Sequence, residues 1–197
     1  MSPARGRESR QQSRLMFILV DGKSEKKYFE NFRGINPHLR IEIMSERDQC
    51  SYPKSLKYCM SQMTRRQMEL DKGDKAVIVT DVDRHTSQDV MDFDKDCTKQ
   101  GIGLFVSNPS FEVWLVLHFE RITRWMSCEE LNDELTRILG RRYVKSESIP
   151  FDNDRLETAI TNGFAQFDDS KNRNEQCLGN DVSRTTLHLL VKEIMDF

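Results

Sequence analysis

Four short apolar runs divide this chain, with amphipathic stretches between them. Leu15 to Val20 puts six apolar residues in a row, the pattern of a strand covered on both faces. Leu39 to Met44 alternates apolar and polar, which predicts a half-exposed strand nearer a sheet edge. Lys75 to Thr80 is rich in β-branched residues and predicts a buried strand; Gly103 to Val106 predicts a fourth. Between the runs the spacing turns helical. A first helix is expected from Ser24, as N-cap, through Tyr28 and Phe29 towards Phe32. A second runs from Pro53 to about Leu70, with Leu56, Met60 and Met63 as core filler. Its Lys54, Lys57, Arg65 and Arg66 make either a solvated face or one for a nucleic-acid backbone. A third spans Ser87 to Gln100, with Val90, Phe93 and Cys97 on one face, and Phe111 to Phe119 is apolar nearly all round, hence a buried helix. The order β-α-β-α-β-α-β-α predicts an α/β fold with a mainly parallel, doubly wound, Rossmann-like sheet flanked by helices.

After Ser127 the pattern becomes helical only, over residues 127–139, 152–167 and 183–195, with polar loops between them and an exposed loop at Asp168 to Glu175. The expected organisation is an α/β core over 15–125 with a helical C-terminal elaboration of the same domain over 126–197. Residues 1–14 carry Arg5, Arg7, Arg10 and Arg14 against Glu8 alone and read as a basic disordered arm.

Composition narrows the function classes. The 197 residues carry a net charge of −2, so nucleic-acid binding requires a local patch rather than global basicity. Five scattered cysteines form no CxxC pair, which argues against a zinc knuckle or a disulfide framework and for a cytoplasmic protein. No apolar run approaches the roughly 18 residues of a membrane span. Neither GxxxxGK[ST] nor GxGxxG is present, so nucleotide-cradle readings lack their loops.

The candidate chemistry sits where strands end. Asp81 and Asp83 follow the third strand one residue apart and point the same way if the chain stays extended. Their mutual repulsion is relieved either by a hard divalent cation, which takes oxygen ligands, or by solvation as an Asp-rich loop. Asp21, before Gly22, closes the first strand at the same sheet edge, where α/β folds bind ligands. Glu25 either faces that cleft or complements the helix dipole. His85 is a proton carrier, an outer-sphere residue or an exposed loop histidine. Glu112 either points into the acidic cleft or caps its helix. Asn180 to Thr186 opens the last helix with a Ser/Arg/Thr cluster suited either to an anion or to ordinary capping.

Taken together, Val20-Asp21-Gly22-Lys23-Ser24-Glu25 with Tyr28-Phe29, Asp81-Val82-Asp83, and Ser107-Asn108-Pro109, Phe111-Glu112, Trp114-Leu115 and His118-Phe119 resemble the RloB family. The resemblance implies a Toprim-like core in which one acidic residue after the first strand and a DxD after a later one hold Mg²⁺ (or Mn²⁺). It thereby implies a metal-dependent nuclease acting on RNA such as tRNA, or on DNA, in bacterial anti-phage, abortive-infection defence. Asp21, Asp81 and Asp83 would be the ligands, Glu25 would complete the shell or act as general base, and His85 and Glu112 would assist. An ATPase encoded nearby is the implied partner. Two departures stand out: Asp21 replaces the family's glutamate, and Asp181 stands where an NPST-type segment has proline. The first of these supports an alternative, a non-catalytic Toprim-like subunit that binds nucleic acid or the ATPase.

Overall fold

A computed structural model describes residues 13–45, 51–82, 85–145, 149, 152–171 and 173–197. In chain order the elements are β1 (Arg14–Val20), α1 (Lys23–Glu30), β2 (Leu39–Ser45), α2 (Tyr52–Arg65), β3 (Lys75–Asp81), α3 (Ser87–Lys99), β4 (Ile102–Asn108), α4 (Glu112–Leu117), α5 (Cys128–Leu139), α6 (Asn153–Phe164), α7 (Arg173–Cys177), β5 (Arg184–Thr185) and α8 (Leu187–Asp196). The strands form one sheet in the order β2-β1-β3-β4-β5. The first four are parallel, and β5 runs antiparallel to β4 through Ser107 opposite Thr185 and Asn108 opposite Arg184. This is the expected α/β architecture, with β2 as the half-exposed edge.

Alternation along the strands sorts the core into two layers. Met16, Ile18, Val20, Val77 and Val79 pack under α1, α4, α5, α6 and α8. Phe17, Leu19, Ala76, Ile78, Leu104 and Val106 pack under α2, α3 and α7. Every residue of α4 is buried, as its all-round apolar sequence requires. The helix after β1 and the helix after β3 therefore lie on opposite faces of neighbouring strands. That is the topological switch point at which an open α/β sheet leaves a crevice.

Several local expectations are corrected. α1 begins at Lys23 behind Gly22, not at a Ser24 cap. α2 ends at Arg65, and its inward residues are Tyr52, Ser55, Cys59 and Gln62; Met60 is 39% exposed. Of the expected core row, Leu56 and Met63 are partly buried against the core, and Met60 turns outward. The segment expected to open the last helix instead forms β5. Val106 N–H donates to Thr186 Oγ1 at 2.9 Å and Thr186 N–H donates to Val106 O at 2.9 Å, so this segment is claimed by the sheet before α8 starts. Part of the expected 168–175 loop is α7, anchored by Asn108 Nδ2, which donates to Cys177 O at 2.9 Å and Gly179 O at 3.2 Å. The expected basic arm lies outside the described residues apart from Ser13 and Arg14, and Arg14 is the first residue of β1. Among the described residues no helix is long and apolar enough to cross a membrane.

Candidate functional site at the carboxyl ends of the strands

Asp21 directly follows β1 and Asp81 ends β3, the strands that flank the switch point. Thr80 and Asp81 lean to opposite faces because side chains alternate. Thr80 Oγ1 donates to Asp21 Oδ2 at 2.6 Å, which fixes the Asp21 carboxylate across the strand gap. Asp81 N–H lies 3.4 Å from the same oxygen.

Two further carboxylates come from the helices that follow. Glu25, in the first turn of α1, is 6% exposed, and its Oε2 lies against the Gly22 α-carbon so closely that a β-carbon there would sit 2.5 Å away. Gly22 is extended, so it is space and not conformation that demands glycine. Burial, with the neighbouring charges of Asp21 and Glu112, raises the Glu25 carboxyl from 4.5 to about 7. Glu112, at the start of α4, is 2% exposed. Its Oε2 accepts from Ser110 Oγ at 2.7 Å, and its Oε1 accepts from Tyr143 Oη at 3.3 Å and pairs with Lys145 Nζ at 3.4 Å. Burial works against the charge on Lys145, but the Glu112 and Asp81 carboxylates outweigh it and hold the ammonium more firmly protonated than usual. Asp21, Glu25, Asp81 and Glu112 thus interact electrostatically with one another or with Lys145 at this edge of the sheet.

A second layer sets their spacing. Tyr28, one turn after Glu25, is 3.1 Å from His118 Nε2 at the end of α4. Trp114 meets both rings edge-on, at 6.3 Å from Tyr28 and 5.1 Å from His118. Burial lowers His118 to about 4, so it is a neutral brace between α1 and α4, the helices that carry Glu25 and Glu112. On the opposite face Tyr52 is stacked between Phe93 (4.2 Å, 5°) and His85 (3.8 Å, 23°). Burial and the Asp21 charge both raise the Tyr52 phenol.

The structure therefore brings Asp21, Glu25, Asp81 and Glu112 together. Asp83 lies outside the described residues. Among the described residues no three His, Cys, Asp or Glu side chains gather as a metal-binding group. His85 is partly exposed, with its ring against Tyr52.

The family model for RloB-like protein matches residues 16–194. This chain belongs to the RloB-like family. Neither a curated protein nor a solved structure matches it.

In this RloB-like chain the matched region contains every candidate residue and also four that the sequence reading passed over. Thr80, Ser110, Tyr143 and Lys145 hold the carboxylates, and of these only Thr80 and Ser110 sit beside marked motif residues. Thr80 looked like one more β-branched strand residue. Tyr143 and Lys145 follow α5 in an irregular segment with no periodicity to place them. The usable signal was their type: an aromatic and an amine two residues apart, after a helix expected to pack on the core.

Proposed function

We propose that this RloB-like chain is a metal-dependent nuclease with a Toprim-like core, hydrolysing phosphodiester bonds in RNA such as tRNA, or in DNA, in bacterial defence against phage. The observation that carries the reading is the pairing of Asp21 and Asp81 at the ends of adjacent parallel strands, with Glu25 and Glu112 behind them. An all-oxygen donor set of this kind fits a hard divalent cation such as Mg²⁺ or Mn²⁺. Asp21 and Asp81 would hold it, with Asp83 as the third ligand. Such a cation polarises a phosphate and lowers the pKa of a bound water. Thr80 keeps Asp21 aimed into the cleft. Glu25, close to half-ionised near neutral pH, is suited to take a proton from the attacking water. Glu112 holds Lys145 beside the carboxylates, where its ammonium meets the charge gathering on the phosphate.

The alternative reading, a non-catalytic subunit binding nucleic acid or an ATPase encoded nearby, is favoured by one observation. Asp21 is a methylene shorter than the glutamate of the family motif, and its carboxylate is already engaged by Thr80. The two readings separate in one assay. Labelled single-stranded RNA, tRNA and DNA are incubated with the pure protein and Mg²⁺ or Mn²⁺. The nuclease reading expects cleavage that falls by about 100-fold or more in Asp81→Ala, the scale on which losing support for a metal site acts. It also expects the metal to raise the wild-type melting temperature, by the equivalent of about 2.7 kcal/mol at 100 times its Kd. No cleavage together with no thermal shift would end the nuclease reading and leave the binding subunit.

A further inference from the structure

The ring pile on the second face of the site has no part in the chemistry assigned so far. Phe93 and Tyr52 are buried at 5% and 8% exposure, and their rings are parallel to within 5°. His85 lies face-on over Tyr52 at 3.8 Å and is the member of the pile that reaches solvent. Its backbone N–H donates to Val82 O at 2.9 Å. Stacking on Tyr52 holds the imidazole, and the Asp89 carboxylate interacts with it electrostatically. The Asp21 charge also acts on the Tyr52 phenol. Exposed Lys54 and Lys57 stand two and five residues beyond Tyr52 on α2.

We infer that His85 is the outer tile of a stacking platform for an unpaired nucleobase of the nucleic acid whose phosphodiester occupies the acidic cleft. The inference rests on the nuclease reading and adds the form of its substrate: single-stranded, with a splayed base beside the reacting phosphate. Unstacked bases are bound on aromatic and histidine rings in this way, because every base has a π face. A platform built from Tyr52 and Phe93 is rigid before the base arrives, so little ordering remains when it binds. Histidine ends the pile with a ring small and polar enough to stand in water when no base covers it.

The test uses the full chain and short single-stranded RNA and DNA oligonucleotides carrying one 2-aminopurine, whose fluorescence is quenched by stacking. Binding is titrated without divalent metal, so the readout does not depend on cleavage. The wild type is expected to quench the probe. His85→Phe, which keeps a ring face and loses both nitrogens, is expected to quench as well. His85→Ala and His85→Leu are expected to lose the quench and about tenfold in affinity, the scale of one base–aromatic stack. In the cleavage assay His85→Ala is expected to raise KM, as the loss of a binding contact does, and His85→Phe to hold it near the wild-type value. Equal quenching and affinity in wild type and His85→Ala would overturn the platform. So would a loss in His85→Phe as large as in His85→Ala, which would assign the role to the nitrogens. A wild type that binds no oligonucleotide overturns it too. Cleavage intact in His85→Ala with unchanged quench removes the platform and leaves the nuclease reading standing. Quench without cleavage in any metal does the reverse.

Discussion

Trp114→Ala is expected to destabilise the protein by about 3–5 kcal/mol, the range for removing a buried tryptophan or phenylalanine. Trp114 is fully buried on a six-residue helix, each residue of which is buried. Its indole edge packs on Tyr28 and His118, so its loss opens a cavity between α1 and α4 that two rigid helices collapse into only partly. Domains of this size are stable by only about 5–15 kcal/mol, so the variant sits near the threshold for folding. Urea denaturation followed by circular dichroism measures it, and Trp114→Phe, which keeps a ring in the site, should cost much less. A loss below about 1 kcal/mol for the alanine variant would mean that α4 is not the buried helix described. The site is tied to the same packing. α4 presents Glu112 and α1 presents Glu25, so a variant loose at Trp114 should also bind divalent metal more weakly than its residual stability alone explains.

The frame of the site was legible because strand ends announce themselves. Six apolar residues before Asp21 and a β-branched run before Asp81 fix both carboxylates at the same sheet edge, and the parallel pairing of β1 with β3 follows from strict β-α alternation. Glu25 and Glu112 were recognisable as first-turn residues of the next helices. Which way they turn was not readable, because a first-turn glutamate serves the helix dipole equally well in water. Burial decides it: the carboxyl of Glu25 lies on Gly22, and Glu112 is held by Ser110, Tyr143 and Lys145. β5 was illegible for a different reason. Two residues carry no periodicity, and Arg184-Thr185 pair with β4 because Ser107, Thr185 and Thr186 offer hydroxyls that hold the edge. The row of Leu56, Met60 and Met63 was legible only in part, because helical spacing alone does not fix the centre of the buried face: that face centres on Tyr52, Ser55, Cys59 and Gln62, which leaves Leu56 and Met63 partly buried against the core and Met60 exposed.

The carboxylate cleft also makes stability depend on pH in a direction opposite to that of an ordinary salt-bridged acid. Glu25 titrates at about 7 in the folded chain, against 4.5 for an unhindered glutamate. Between those values the folded state binds more protons than the unfolded state, so unfolding free energy falls as pH rises. The contribution of Glu25 is fully present below pH 4.5 and has been lost by the time pH passes 7. At about 1.4 kcal/mol per pH unit the whole span is worth about 3 kcal/mol. Glu25→Gln removes the ionisation and keeps the shape. The variant should therefore match the wild type near pH 4.5 and exceed it by up to about 3 kcal/mol at pH 8, read as the difference between paired urea titrations. Exposed acids such as Asp181, pulled far down by Arg184, lose their stabilisation only in stronger acid and cancel in that difference. A difference that does not change with pH would show that Glu25 is not held protonated by its burial. Divalent metal sharpens the prediction under the nuclease reading. A cation beside Asp21 and Asp81 offsets the repulsion that raises Glu25, so Mg²⁺ should stabilise the wild type more at pH 8 than at pH 5. It should also shrink the advantage of Glu25→Gln at the higher pH. If Mg²⁺ leaves that advantage untouched, the four carboxylates are not acting on a common ion. Their shared counter-charge is then Lys145, which is the arrangement a non-catalytic binding subunit would keep.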